Sequence, residues 1–417
     1  MAEKSLKPWL RVFLPFAAGY YLSYLLRNVN AVIAPDLTRD LAMSAGDLGF
    51  LTSAYLFGFG AFQLPLGILL DRYGPRGVEA GLLTIAAAGC AAFALGTNLT
   101  ELALGRGLIG LGVSACLMAS FKAFSLWFPA ERLASLNAAV MAAGGLGALS
   151  ATTPLAWALP LAGWRGIFAV LAVLTLAAAA GILTTPDKRA VARDHETLGE
   201  QLRALGGIFR SRTYWRYAPQ TAMLSGGFMA LQGLWAVPWL IGVNGCTREA
   251  AAFHMLLVSA AMLAGFLALA AFVTRLARAG VPPQRILAVG IGCGLAALAL
   301  IVADVGATYL LWPAMGLVFS VTNLSYALLA ANFPPHLQGR ANTALNLAAF
   351  VGAFGLQWGI GVLVDALGAA GLAPPQAFRW SFTALLVMQT LAWGWFVLGA
   401  RTPADRRRGA SADRAAP

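Results

Sequence analysis

The chain has 417 residues, 59% of them hydrophobic and only 11% charged, with a formal net charge of +12 and a mean hydropathy of +0.73. A soluble globular protein carries about a quarter charged residues, so a water-soluble fold is excluded. The basic surplus does not point to nucleic acid, because the charges cluster at the ends of apolar runs of roughly 20 residues, the length that crosses a hydrocarbon core.

These runs are continuously apolar rather than alternating, which predicts helices and not a barrel. Twelve spans are expected, at about 12–36, 48–70, 78–97, 100–127, 134–158, 165–184, 214–241, 250–272, 284–303, 306–332, 341–366 and 378–399. With both termini in the cytoplasm, most of the 29 Lys and Arg flank cytoplasmic ends, while Arg39, Arg165, Arg248 and Arg379 fall on the far side. That bias is the positive-inside pattern and favours an even number of spans. No small-residue cleavage site follows a short apolar stretch at the N-terminus, so span 1 is expected to stay in the mature protein.

Span 1 holds the first cation at depth. Tyr20, Tyr24, Arg27 and Asn28 stand at i, i+4, i+7 and i+8, one helical face. A charged side chain at mid-membrane costs at least about 2.5–3.5 kcal/mol, so a polar stripe around Arg27 is expected to face a cavity; the alternative is an Arg held by neighbouring carbonyls. Span 2 ends in Gly67, Asp71, Arg72, Gly74 and Arg76, a carboxylate and two guanidiniums in a turn that Gly74 permits. Span 4 carries Arg106 above small residues and Lys122 six residues before Phe128, where its stem could also snorkel to the boundary. Gly144, Gly145 and Gly147 in span 5 are expected to permit close helix packing.

Phe128-Pro129 followed nine residues on by Asn137 returns as Phe333-Pro334 and Asn342, at the span 4–5 and span 10–11 turns. A phrase repeated in each half indicates two homologous bundles, the build of proteins that move solutes through the seam between them. The boundaries read as an N-terminal six-helix bundle at 1–184, a cytoplasmic central loop at 185–213, a C-terminal bundle at 214–400 and a disordered basic cytoplasmic tail at 401–417. Within the loop, Leu198 to Ile208 is amphipathic enough for a short interfacial helix. In the second half Gln220, Gln232, Trp235, Asn323, Tyr326 and Gln357 are candidates to complete a site, Asn323 and Gln357 first because they lie mid-span.

The Gly-x-x-x-Asp-Arg-x-Gly-x-Arg spacing at 67–76 resembles the signature loop of the major facilitator superfamily. Gly105-Arg106 with Gly110 and Gly112, Gly163-Trp164-Arg165 with Phe168, and the Phe-Pro…Asn repeat resemble further features of that superfamily. The resemblance covers nearly the whole chain. It implies an all-α membrane protein with twelve transmembrane helices in two pseudo-symmetric six-helix bundles. It also implies that Asp71, Arg72 and Arg76 latch the halves in one state, with Arg106 in gating. Span 1 resembles that of organic-phosphate/phosphate exchangers, whose Tyr residues and substrate-binding Arg fall on Tyr20, Tyr24 and Arg27, with a further basic residue on Lys122. Gln232 stands near their missing basic residue of span 7, which moves the expected solute from phosphate esters to small organic anions such as carboxylates.

Asp47, Glu101, Asp304 and Asp365 lie near predicted span ends, and no carboxylate is expected at mid-span. Cations without a buried anion make a positive cavity for an anionic solute. The expected protein is therefore a monomeric secondary transporter of a small organic anion, in the lipid bilayer of a bacterial inner membrane, without nucleic acid, cofactor, metal or enzymatic activity. Its site would hold Arg27, Lys122, Tyr20, Tyr24, Asn28, Gln232, Asn323 and Gln357. One competing reading is drug or metabolite efflux, set back because span 5 lacks the Gly-Pro pair of drug/proton antiporters. A second is import of copper or another soft metal through Met223, Met229, Met255, Met262 and His254, whose spacings do not pair ligands on one helix face. Cys90, Cys116, Cys246 and Cys293 show no paired spacing and read as packing residues.

Overall fold

The computed structural model describes residues 9–186 and 198–399; the basic tail expected at 401–417 and the segment 187–197 lie outside them. Ten helices are long and apolar enough to cross a membrane by length and composition. Leu14–Leu41 and Ala45–Ala61 complete twelve spans. Those two are less apolar or shorter for visible reasons. Span 1 carries Arg27, Asn28, Asn30 and Asp36, and span 2 is interrupted at Phe62 before its continuation from Gln63.

The remaining spans follow closely. Span 3 covers 75–95, span 4 is Leu99–Trp127, span 5 Ala130–Ser150 continuing over 153–162, and span 6 covers 164–183. Spans 7 to 12 are Arg212–Gly242, Arg248–Arg278, Pro283–Val302, Thr308–Ala330, Pro335–Ala369 and Pro374–Leu398. Two connections turn at single glycines with positive φ, Gly74 (78°) between spans 2 and 3 and Gly163 (62°) between spans 5 and 6. A side chain there would be strained.

Pseudo-symmetry shows in where backbones touch. A Cβ on Gly110 would collide with the Tyr55 carbonyl, where spans 4 and 2 touch; a Cβ on Gly316 would collide with the Val258 carbonyl, where spans 10 and 8 touch. Likewise Gly147 lies against Tyr21, spans 5 and 1, and Gly352 against Ala222, spans 11 and 7. Each pair occupies matching places in the two halves, where the small residues let helices approach without a side chain between them.

Span 1 runs further than its apolar stretch, to Leu41, with Pro35 and Asp36 inside it. In the central helix, Leu198–Phe209, two apolar residues face protein. Leu205 and Ile208 are buried in a cluster with Tyr214, Leu287, Leu345 and Phe396 of the second half. An amphipathic pattern reads the same whether the apolar groove it needs is lipid or protein, and for Leu205 and Ile208 protein supplies it.

Candidate functional site

The two halves meet tightly on one side of the membrane and part on the other. On the face opposite the ends at Trp9 and Gly399, span 2 packs on span 11 through Gly49, whose Cβ would stand 2.7 Å from the Gln357 carbonyl, and through Gly361, where a Cβ would collide with the Ala45 carbonyl. The backbone N–H groups of Ala45 and Gly46 donate to the Asp365 carboxylate at 3.0 and 2.6 Å. A carboxylate is favoured there by the unpaired donors and the dipole of a helix N-terminus. Arg248 of span 8 donates to Asp36 of span 1 at 3.1 Å through one nitrogen, pairs with it again through the other, and reaches the Val32 carbonyl at 2.9 Å. Phe50–Trp358, Phe57–Phe354 and Phe59–Phe350 ring contacts continue the seam inward.

Below that seam lies a cavity of about 830 Å³ between the halves. Its lining descends from Thr52 and Gln357 to Leu70 and Gly339, beside the turns on the face that carries the ends. The molecule is thus closed on one side and open toward the other.

Every residue expected in the binding set lines this cavity: Tyr20, Tyr24, Arg27, Asn28 and Lys122 from the first half, Gln232, Asn323 and Gln357 from the second. Their freedom differs. Arg27 is half-buried, has no ion-pair partner among the described residues, and leaves its Nε without a hydrogen bond. Its guanidinium lies 4.8 Å from the Tyr24 ring centre, 4.9 Å from Phe59, 5.8 Å from Phe350 and 6.0 Å from Tyr55. Aromatic faces attract a cation, by about 2 kcal/mol or more when it is desolvated, without neutralising it as a carboxylate would.

Other members are tied down. Asn28 donates to the Tyr24 carbonyl of its own helix at 2.8 Å, and Gln232 to the Ser259 hydroxyl at 3.3 Å. The Tyr20 hydroxyl reaches the Met141 sulfur at 3.6 Å. Gly144 leaves room for both tyrosines, since a Cβ there would stand 2.5 Å from Tyr20 and 3.1 Å from Tyr24. Gln357 is 1% exposed and its amide nitrogen has no partner among the described residues.

The expected gating residues do not gather. Arg106 is fully buried, donates to the Leu26 carbonyl at 2.9 Å and lies 5.0 Å over the Tyr55 ring, pinning span 4 to span 1 one residue from Arg27. Arg76 donates to the Leu183 carbonyl at the end of span 6, and Arg72 is exposed beside Tyr73. Both partners belong to the first half. The Asp71 side chain lies outside what is described.

Sequence reasoning missed Tyr55, Phe59 and Phe350 around Arg27, and Asn342, Thr343 and Asn346 on span 11. It also missed an acid. Glu79, one turn into span 3, is 0% exposed inside the first bundle, which corrects the expectation of cations without a buried anion. Hydropathy placed the start of span 3 at 78 and left Glu79 at its edge. The turn at Gly74 starts the helix earlier and draws Glu79 into the packing. It does not neutralise Arg27: the two form no ion pair among the described residues.

His254 is fully buried in span 8, its ring nitrogens engaged with the Ala250 carbonyl at 2.7 Å and the Thr308 hydroxyl at 3.0 Å. Met229 and Met262 line the cavity without it.

Two six-helix halves around a central cavity define a membrane transporter fold, and residues 16–356 match the Major Facilitator Superfamily. The chain belongs to that superfamily. It is similar to the hexuronate transporter of Escherichia coli K12, 30% identical over 157 residues, which covers 38% of this chain and 36% of the relative. It is also similar to the galacturonate transporter of Dickeya chrysanthemi, 30% identical over 158 residues, 38% and 46% of the two chains. The 4-hydroxybenzoate transporter PcaK of Pseudomonas putida is 33% identical over 145 residues, 34% and 32%. The matches thus span less than half the length of these curated relatives. Among solved structures, a bacterial homologue of the human lysosomal transporter Spinster, in an inward-facing and occupied conformation, superposes with a TM-score of 0.76 at 16% identity, over 94% of this chain and 96% of that one. The nucleoside transporter NupG gives 0.73 at 15% identity, over 92% and 99%. At these identities the likeness concerns the fold. The chain is a multi-pass membrane transporter of the superfamily and not an enzyme.

Proposed function

We propose that this protein carries a small organic carboxylate across a bacterial cytoplasmic membrane by alternating access, with both termini in the cytoplasm. The observation that carries the reading is Arg27: a guanidinium in a central cavity, boxed by rings and free of any acidic partner among the described residues. A desolvated cation of this kind favours the state in which an anion sits beside it. Lys122 supplies the second positive charge in the same cavity. Tyr20, Tyr24, Asn28, Gln232, Asn323 and Gln357 orient the solute. The relatives named for hexuronate, galacturonate and 4-hydroxybenzoate support an acid as cargo.

In the cycle, the cavity opens alternately to each side. Asp36–Arg248 and the Asp365 contact with span 2 hold the far side shut in the present state. Asp71, Arg72 and Arg76 hold the cytoplasmic side shut in the other, while Arg106 fixes the height of span 1. An anion moving into a cell also climbs the membrane potential, about 2.3 kcal/mol per charge per 100 mV, so uptake needs a compensating charge.

Counterflow in proteoliposomes tests the reading. Galacturonate, glucuronate or 4-hydroxybenzoate preloaded inside should drive entry of the labelled anion, whereas tetraphenylphosphonium should not exchange. Exchange of the lipophilic cation in place of all three anions would reverse the assignment.

A further inference from the structure

Glu79 is a buried acid for which the transport reading above has no use. It sits on span 3 with zero exposure, and neither carboxyl oxygen meets a hydrogen-bond donor nitrogen or hydroxyl among the described residues. Span 1 faces it with Gly19, where a Cβ would stand 2.5 Å from a carboxyl oxygen, and with no charge of its own. Leu83 lies in the same contact from the next turn of span 3. From span 4 comes the Cys116 thiol, the titratable group that faces the carboxyl and can donate to it. It forms no ion pair with a Lys, Arg or His among the described residues.

An ionised carboxylate in such a place would be stripped of water with no counter-charge, a state proteins avoid by binding a proton. The site also borders the cavity wall, since Gly19, which faces Glu79, is followed on span 1 by Tyr20. Tyr20 and Arg27 line the cavity. Cys116 begins the second segment of span 4, directly after the helix is interrupted at 113–115. The two sides of that interruption are held by other spans: Ser23 donates to the Val113 carbonyl at 3.4 Å and Gln63 to that of Ser114 at 3.3 Å. A shift of the cavity wall at span 1 or span 2 therefore pulls on the residue beside Glu79.

We propose that Glu79 is the proton-binding site that couples anion movement to protons. This rests on the anion-transport reading. The proton bonds to a carboxyl oxygen when the cavity faces the acid side, giving the neutral acid in the closed bundle. It leaves to water when span 4 shifts at 113–115 in the state open to the other side. One proton then accompanies one monocarboxylate, and the transported unit carries no net charge.

The test uses full-length protein in liposomes with labelled galacturonate and 4-hydroxybenzoate. A gradient of one pH unit should drive about tenfold accumulation by the wild type, the equivalent of about 1.4 kcal/mol per proton. Glu79→Gln should lose that accumulation and keep counterflow at equal pH. Accumulation retained in Glu79→Gln, or absent from a wild type that exchanges the anion, overturns the proton site and leaves anion transport standing. Absence of exchange with either anion in the wild type overturns the transport reading. Infrared difference spectra decide the proton site in every case, because they need no substrate: a protonated-carboxyl band should titrate in the wild type and vanish in Glu79→Gln. A spectrum unchanged by the substitution overturns the proposal. If Glu79→Gln does not insert, Glu79→Asp should keep the band with its titration midpoint displaced, and an unmoved midpoint counts against the site.

Discussion

The two halves share a skeleton and divide the chemistry. Glycines join spans 1 and 5 in the first half at the same places where they join spans 7 and 11 in the second. Yet Arg27, Arg106, Lys122 and Glu79 all belong to the first half, whereas the second lines the cavity with Gln232, Asn323, Asn342, Asn346 and Gln357. Span 7 is also the helix loosened by two π segments, Thr221–Ser225 and Leu231–Trp235, the second holding Gln232. Such bulges recur at functional sites, where they re-aim side chains. The repeat sets where helices cross, while charge on one wall of the cavity and amides on the other set the two halves apart.

The same contrast holds between neighbours. Arg106 gives one N–H to the Leu26 carbonyl in a sealed position, and Arg27, the residue after Leu26, faces the cavity. One guanidinium holds helices together. The other lines the cavity with its Nε unpaired.

The seam itself is the place to break this arrangement hardest. Gly49→Val would put methyl groups into the Gln357 carbonyl, so the far side should no longer close. Transport should fall to background while the protein still reaches the membrane, and cysteines introduced along Ala45–Ala61 should become reactive from that side. Next comes Arg106→Leu, which removes a buried charge-assisted hydrogen bond and should lower thermal stability by roughly 1–3 kcal/mol. An equal loss in Arg27→Ala would erase the distinction drawn between the two arginines. Lys122→Ala should weaken anion affinity about tenfold, or about 1.4 kcal/mol, measured by competition in counterflow. On the amide side Asn323→Ala should cost less, about threefold, in keeping with a neutral hydrogen bond worth about 0.5–1.5 kcal/mol. A larger loss from Asn323→Ala than from Lys122→Ala would invert the division of labour between the halves.

Much of this was legible in the residues. The apolar runs located all twelve spans, and the spacing of Tyr20, Tyr24 and Arg27 placed one face of span 1 on the cavity. What stayed hidden depends on contacts far apart in the chain. Phe59 and Phe350 are ordinary apolar residues of spans 2 and 11 until the fold stacks them 4.6 Å apart beside Arg27. Asp36 looked like a span end, and only packing brings Arg248 to it from the other half. Glu79 was concealed by a boundary: hydropathy averages over a window, whereas a single glycine at φ 78° sets where span 3 begins.

The most direct measurement is anion binding by purified wild type and Arg27→Ala, followed by calorimetry with galacturonate and 4-hydroxybenzoate at low and high salt. The wild type should bind at least one of the two, more weakly as salt rises. Arg27→Ala should bind neither, even at about a hundredfold higher concentration, a loss of about 2.7 kcal/mol or more, while unfolding at the same temperature as the wild type. Wild-type affinity in Arg27→Ala would contradict the account.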